Sequence, residues 1–430
     1  MVEDKRRLAG IAIALFLTAS SALSDDLEGK IVTEIRLHGL AHTKEYVVER
    51  ELVSRVGEPF SEQNVKKDAE RLDRLRIFSF IEIRSIAADS GVRIEIEVRE
   101  TFPYMPTLSI QVNDENGASA GPGFKSVNFL GRGIELGAAA QFGGSTNLDL
   151  SFANPWVSGN HLSYRARYLY RDRPNELDDF NEITNELEAR FGSYIGEAGR
   201  IGVQAAFSTI RSDRDGVTLS PDNLDKIPSL GVYLGYDTRD IWSRPGIGWR
   251  NELDITKSDV RDTPRGFWTT NIDLRRYQTW QTRHTLLLTS LTTLQSGTVG
   301  EDVPIYADFH IGGTNTIRGW PLDSRVGKNQ FINTVEYRYL LTEPRPFSFS
   351  FFTAYIGLQL AAFADFGHAW SESKDFAMNQ FIGGYGVGLR VLIPFVDEIR
   401  LDVGWGAPGE GIMFHFGIYP KVVMQRERVR

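Results

Sequence analysis

"FIGGYGVGLRVLIPF", Phe381 to Phe395, carries two textures in alternation. Past Gly383 its odd positions are Tyr385, Val387, Leu389, Val391, Ile393 and Phe395. Its even positions run from Ile382 through Gly384, Gly386 and Gly388 to Arg390. A period of two marks a β-strand with unlike faces, because successive side chains point to opposite sides of the sheet. One face here is bulky and apolar, and the other is glycine ending in a charge. Which face meets the interior decides the fold.

The pattern recurs outward from this stretch. In "GIMFHFGIY", Gly411–Tyr419, the residues Ile412, Phe414, Phe416 and Ile418 share one face, and Gly411, Met413, His415 and Gly417 share the other. Val203, Ala205 and Phe207 oppose Gly202, Gln204 and Ser208. Beyond Thr101 helical periodicity disappears. Segments of about ten residues follow one another between Gly, Asn, Asp and Pro clusters, from Met105–Asp114 to the last strand at Gly411–Tyr419, with Asn185–Tyr194 among them. They number sixteen. A soluble sandwich would also alternate, with its apolar face inward. A membrane barrel is favoured by the even count and by segments matching a tilted span of about 9–11 residues. Tyr, Trp and Phe near segment ends suit an aromatic girdle. Backbone in a bilayer must pair completely, which a closed barrel achieves.

The first residues fit an exported protein. Lys5, Arg6 and Arg7 precede an apolar run from Leu8 to about Leu17 and then small residues, the layout of a signal peptide over 1–24. That run is shorter than the roughly 20 residues a spanning helix needs. No later run approaches that length, so no transmembrane helix is expected. Residues 25–101 read differently. "IVTEIRLHG" alternates as a strand, and a helix is expected from Thr43 as N-cap to Gly57 as C-cap. A second helix starts at Ser61, with Val65, Ala69, Leu72 and Leu75 at helical spacing. Two strands, "FSFIEIRS" and "GVRIEIEVRE", complete a β-α-α-β-β order.

Composition excludes several functions. The net charge of −8 and the lack of a basic stripe argue against a nucleic-acid partner. With no cysteine among 430 residues there is no disulfide, thiolate chemistry or lipoprotein anchor. The seven histidines show no metal-ligand spacing. "GGYGVG" lies inside a strand pattern and opens no helix, so it is no dinucleotide fingerprint. There is no P-loop and no nucleophile–base constellation. No enzyme activity, cofactor or metal is expected. The acidic pair Asp178–Asp179 is expected in a long, solvated external loop.

One loop is unusual. "GGTNTIRGW", Gly312 to Trp320, joins the eleventh and twelfth segments and is the sixth external loop if the first strand runs outward. It places Arg318 between Ile317 and Gly319, next to Trp320, and these residues suit a packed environment. Asp365 shares a strand face with Phe363 and Gln359, opposite Ala362 and Ala364. Glu336 and Arg338 oppose Val335, Tyr337 and Tyr339. Both carboxylates should therefore point inward.

These residues carry a family resemblance. "TNTIRGW" after the Gly312–Gly313 pair resembles the [VI]RG[FYW] loop of the BamA/TamA family of outer-membrane assembly factors, the bacterial surface antigens. "FADFGHAW", with Phe363, Gly367 and Trp370, is similar to the family's F-x-D-x-G segment. "YDTRDIWSRPGIGW", with Asp237, Arg239, Asp240 and Pro245, resembles its acidic turn between the eighth and ninth strands. Gly411, Phe414 and Phe416 resemble the terminal barrel-targeting strand, although the chain continues into a basic tail, "KVVMQRERVR", at 421–430. The β-α-α-β-β unit resembles one POTRA domain, where the family's central member carries several.

The resemblance implies an all-β transmembrane barrel of about sixteen antiparallel strands over 102–420, preceded by one small α+β POTRA domain over 25–101. It implies the outer membrane of a Gram-negative bacterium, with the POTRA domain in the periplasm. It further implies that loop six folds into the lumen, where Arg318 bridges Glu336 and Asp365, with the inward glycines 384, 386 and 388 as a slot. The implied activity is insertion of other barrel proteins or passage of chains outward, at a seam between "TLSIQV" and "GIMFHFGIY". Implied partners are outer-membrane lipids, unfolded outer-membrane or exported polypeptides, and periplasmic chaperones or accessory proteins. The alternatives are a two-partner type polypeptide-secretion pore and a passive barrel without clients.

Overall fold

The computed structural model describes residues 27–159, 161–239, 246–348, 353–393 and 396–420. Residues 1–24, where a signal peptide is expected, Asp240, Pro245 and the tail at 421–430 lie outside the described residues. The chain divides into two compact units, Met1–Met105 with Ser126–Ile134, and Pro106–Lys125 with Glu135–Arg430.

The small unit contains β1 (Val32–His38), α1 (Glu45–Glu49), α2 (Glu62–Arg74), β2 (Phe78–Ala88) and β3 (Gly91–Glu100). Its sheet order is β1-β3-β2, with β1 parallel and β2 antiparallel to β3. Alternation in β3 buries Val92, Ile94, Ile96 and Val98 against Val47, Val48 and Leu72 of the helices. The first helix is much shorter than its expected Thr43–Gly57 span, and Lys44 is its N-cap residue. The physical reason is competition for backbone donors. Buried Asp68 of α2 accepts the N–H groups of Val53 and Ser54, which draws the chain out of helical geometry. Thr43 is likewise held by its N–H, which donates to the Glu100 carboxylate at 2.7 Å.

The large unit is built on a sixteen-stranded sheet, and every strand pair resolved along it is antiparallel. It begins at β4 (Tyr104–Asn113) and β5 (Gly117–Phe129) and continues through β9 (Phe180–Ile195), β10 (Gly199–Ser212) and β11 (Leu224–Asp237) to β14 (His284–Gln295). After a two-stranded hairpin, β15 (Phe309–Ile311) and β16 (Arg325–Gly327), it resumes with β17 (Asn329–Ser348) and β18 (Thr353–Trp370). It closes with β19 (Ile382–Ile393), β20 (Val396–Trp405) and β21 (Met413–Pro420). Each of the sixteen pairs with its chain neighbour, apart from the hairpin between β14 and β17, and β4 and β21 stand at the two ends of the order. This is a nearly closed barrel, as the alternation predicts. Among the described residues no helix is long and apolar enough to cross a membrane.

The faces sort radially. Val203 and Phe207 are exposed while Gln204 and Ser208 are buried, and Phe414 is exposed while His415 is buried. Some strands overrun the expected segments. β9 starts at Phe180 rather than Asn185 because its hairpin with the preceding strand keeps pairing up to Asn175↔Phe180. The long loop expected around Asp178–Asp179 is therefore a short turn. Asp179 is exposed there in a left-handed conformation, and Asp178 is half-buried.

Candidate functional site: an arginine clasped by the barrel wall

The segment between β14 and β17 is held at its base by the β15–β16 hairpin, with Phe309 opposite Gly327 and Ile311 opposite Arg325. Its tip is then shaped by short contacts. Gly312 and Gly313 have φ of +122° and +77°, a region glycine enters without steric cost. The Gly313 N–H donates to the Trp320 carbonyl at 2.7 Å and closes the neck. Gly312 N–H donates to the Thr316 hydroxyl, also at 2.7 Å. The tip is buried: Ile317 is 0% and Arg318 3% exposed. Ile317 packs in a cluster with Ile311, Ile332, Ala369 and Ile382.

Arg318 uses its whole fork. Nε and Nη2 donate to the two oxygens of Asp365 at 2.7 and 2.9 Å. Nη1 donates to Glu336 and to Asp402, each at 3.0 Å. The Arg318 backbone N–H adds a bond to Asp365 at 3.1 Å. The guanidinium carbon lies 3.4 Å from the centre of the Phe363 ring, a cation–π contact. The F-x-D-x-G residues therefore act on loop six together. Phe363, Asp365 and Gly367 share one strand face, where they supply a ring, a carboxylate and space. A Cβ on Gly367 would stand 3.1 Å from Ile317.

The wall extends the cluster beyond the expected pair of carboxylates. Arg390, fully buried, donates to Glu336 at 2.8 Å and to Asp402 at 2.5 Å. Arg338 donates to Glu336 at 2.7 Å. In these contacts among the described residues, three arginines meet three carboxylates and their charges balance. That balance matters because an unpaired buried charge is costly, and these groups also satisfy one another by hydrogen bonds. Asp402 and Arg390 went unassigned in the sequence. The signal was parity: Arg400, Asp402 and Gly404 alternate with Ile399, Leu401 and Val403.

Glycines make room for the loop. A Cβ on Gly384 would sit on the Arg318 carbonyl oxygen, and one on Gly404 would lie 2.8 Å from the Gly319 nitrogen. Gly386 and Gly388 make room for the clasp, since a Cβ on them would strike Phe363 and Asp402. Gly319 itself has φ +85° and lies against the Trp405 backbone. Trp320 Nε1 donates to the Gly383 carbonyl at 2.8 Å. His415 of β21 accepts the Gly319 N–H at 2.8 Å through Nε2.

Other expected residues lie away from the clasp. Arg239 forms a two-pronged pair with Asp237, at 2.9 and 2.6 Å, within its own turn. Trp370 packs edge-on to Phe376. Phe414 and Phe416 are exposed on the outer face, and Gly411 precedes their strand with φ +71°.

Comparison with known proteins follows this geometry. The Omp85 superfamily domain matches residues 128–418, and the POTRA family, a surface antigen variable number repeat, matches residues 30–101. Outer membrane protein assembly factor BamA of Nitratidesulfovibrio vulgaris is 24% identical over 428 residues, covering 90% of this chain and 48% of that protein. This chain therefore spans about half the length of that relative. BamA from Haemophilus ducreyi lacking POTRA domains 1–3 shares the fold with a TM-score of 0.61 at 15% identity, over 90% of this chain and 83% of that one. CdiB from Escherichia coli does so with a TM-score of 0.62 at 13% identity, over 92% and 76%. With a family match across most of the chain and the barrel built as above, the protein belongs to the Omp85 superfamily.

Proposed function

We propose that this protein resides in the outer membrane of a Gram-negative bacterium and assembles other outer-membrane β-barrel proteins there. The observation that carries the reading is the pairing of two features in one barrel. β4 and β21 are the terminal strands of the sheet order, and a buried loop is anchored beside them. An edge strand offers backbone N–H and C=O groups to an incoming strand. An unfolded client hairpin adds to such an edge, and each new strand becomes the template for the next. Arg318 is the latch that holds loop six in the lumen meanwhile. The exposed apolar outer face meets lipid, and the POTRA unit, in the periplasm, receives clients or periplasmic chaperones and accessory proteins. The relative named as an assembly factor supports the assembly reading.

Depletion in the native host followed by an inventory of outer-membrane proteins tests it. Several barrel proteins should fall in abundance, and an unchanged inventory overturns the reading. A second reading, a polypeptide-secretion pore, draws support from the fold likeness to CdiB, which matches that to BamA. In that case the inventory stays intact, a single exported polypeptide is lost from the medium, and displacing loop six opens an ion-conducting path.

A further inference from the structure

The tip of loop six makes a second set of contacts, apart from the arginine clasp. Thr314 is 2% exposed and stands between residues 200 and 101 positions away in the chain. Its N–H donates to Asp114 Oδ2 at 2.5 Å, and its hydroxyl donates to Asp114 Oδ1 at 2.7 Å. The same hydroxyl lies 3.2 Å from His415 Nδ1. Asp114 directly follows β4, the first barrel strand, and His415 lies in β21, the last. One threonine therefore touches both ends of the sheet order.

The chemistry gives this chain of bonds a direction. The Gly319 N–H can only donate, so His415 Nε2 accepts it with its lone pair. A neutral imidazole then carries its proton on Nδ1, which donates to the Thr314 hydroxyl oxygen. The hydroxyl proton is left to point at the Asp114 carboxylate. Every donor in the path from Gly319 to Asp114 has an acceptor. Arg400 adds a bond to the Thr314 carbonyl at 3.3 Å. The imidazole is shared, with one nitrogen on the residue that follows Arg318 and the other on Thr314.

We propose that Asp114, Thr314 and His415 form a staple across the barrel seam, through which loop six positions the first and last strands against each other. Because His415 holds both Gly319 and Thr314, withdrawal of the loop also releases the last strand from the first. The staple explains how a barrel whose terminal strands are edges stays shut at rest, and it gives loop six a role besides its own anchorage. It concerns the seam alone and needs no client.

The test uses the full chain folded into phosphatidylcholine liposomes without client, read by hydrogen–deuterium exchange. Thr314→Val keeps the shape and the backbone N–H but deletes the hydroxyl. Peptides covering 106–113 and 413–420 should both exchange at least tenfold faster, while the β10–β11 hairpin exchanges as before. Protease protection of Arg318 should persist, since the clasp is intact. Thr314→Ser should restore slow exchange, and Asp114→Ala, which also removes the acceptor of the Thr314 N–H, should speed exchange at both peptides at least as much as Thr314→Val. Unchanged exchange at the seam overturns the staple, and so does faster exchange spread over all strands. Should Thr314→Val not fold, Asp114→Ala, at a solvent-facing position, carries the same comparison. The assay contains no client, so its failure is distinct from failure of the assembly reading, which the depletion inventory decides.

Discussion

Arg318 divides its guanidinium among three carboxylates. Nε and Nη2 grip Asp365 from two sides, and Nη1 is shared between Glu336 and Asp402. Arg318→Ala leaves three carboxylates facing two arginines, Arg338 and Arg390. Breaking a buried pair in this way costs about 3–5 kcal/mol. The expected result is protease cleavage within 309–327 and a lower unfolding temperature in heat-modifiability gels; a wild-type digestion pattern would refute the clasp. Arg318→Lys keeps the charge but loses the planar fork, so it should fall between the two. At the loop base, outside the spanning strands, two groups respond to pH. Burial tends to lower the His310 pKa, but the Asp178 carboxylate 3.6 Å away, a hydrogen bond to Asp323 and the charges of both outweigh it and raise the pKa. Burial pushes Asp308 up to about 6, with Asp178 adding to the rise and His310 opposing it. Both folded values exceed the unfolded ones, so both contributions are complete in acid and are lost as pH rises through the folded pKa. Protection of the β15–β16 hairpin from proteolysis should therefore weaken as pH climbs from below about 6 through neutrality. Equal protection across that range would contradict the assignment.

At the scale of elements, β19 and β20 serve loop six by what they lack. The places where Gly384 and Gly404 would carry a Cβ are filled by the Arg318 and Gly319 backbone. Gly384→Val should expel the loop tip without removing any charge. Limited proteolysis should then cut loop six while the barrel keeps its heat-modifiable migration. Gly235→Ala is the matched control, because a Cβ there meets its nearest neighbour at 3.6 Å, an ordinary contact. Loop six cut equally in both variants would dismiss the slot. Parity within single strands made this slot readable, since residues 384, 386 and 388 share a face with Arg390. Parity alone could not say that Asp402, one strand further on, completes the clasp. That depends on register: Gly388 lies opposite Asp402, and Asp402 opposite His415.

The whole molecule is sorted by radius. A charge placed on the lipid-facing side of a barrel at mid-depth costs about 2–4 kcal/mol, and little of that applies on the lumen side. Val203→Arg, on the exposed face of β10, should lower folding yield into liposomes, whereas Ala206→Arg, on the inward face, half-buried and opposite Glu188, should be tolerated. Equal yields would mean that the outer face of β10 does not meet hydrocarbon.

Strand number, the sense of each face and the inward aim of Glu336 and Asp365 were legible in a period of two, because side-chain direction along a strand is a local property; the lumenal place of Arg318, on a loop, was implied only by the family resemblance. The brevity of α1 was not, since a carboxylate from the next helix takes the backbone donors that would have extended it. Nor were Arg390 and Asp402 as partners of the loop, or the meeting of Asp114, Thr314 and His415. Those contacts join residues up to 200 positions apart. They arise only when the sheet curls until its first and last strands approach and the loop drops between them, and no local pattern encodes that distance.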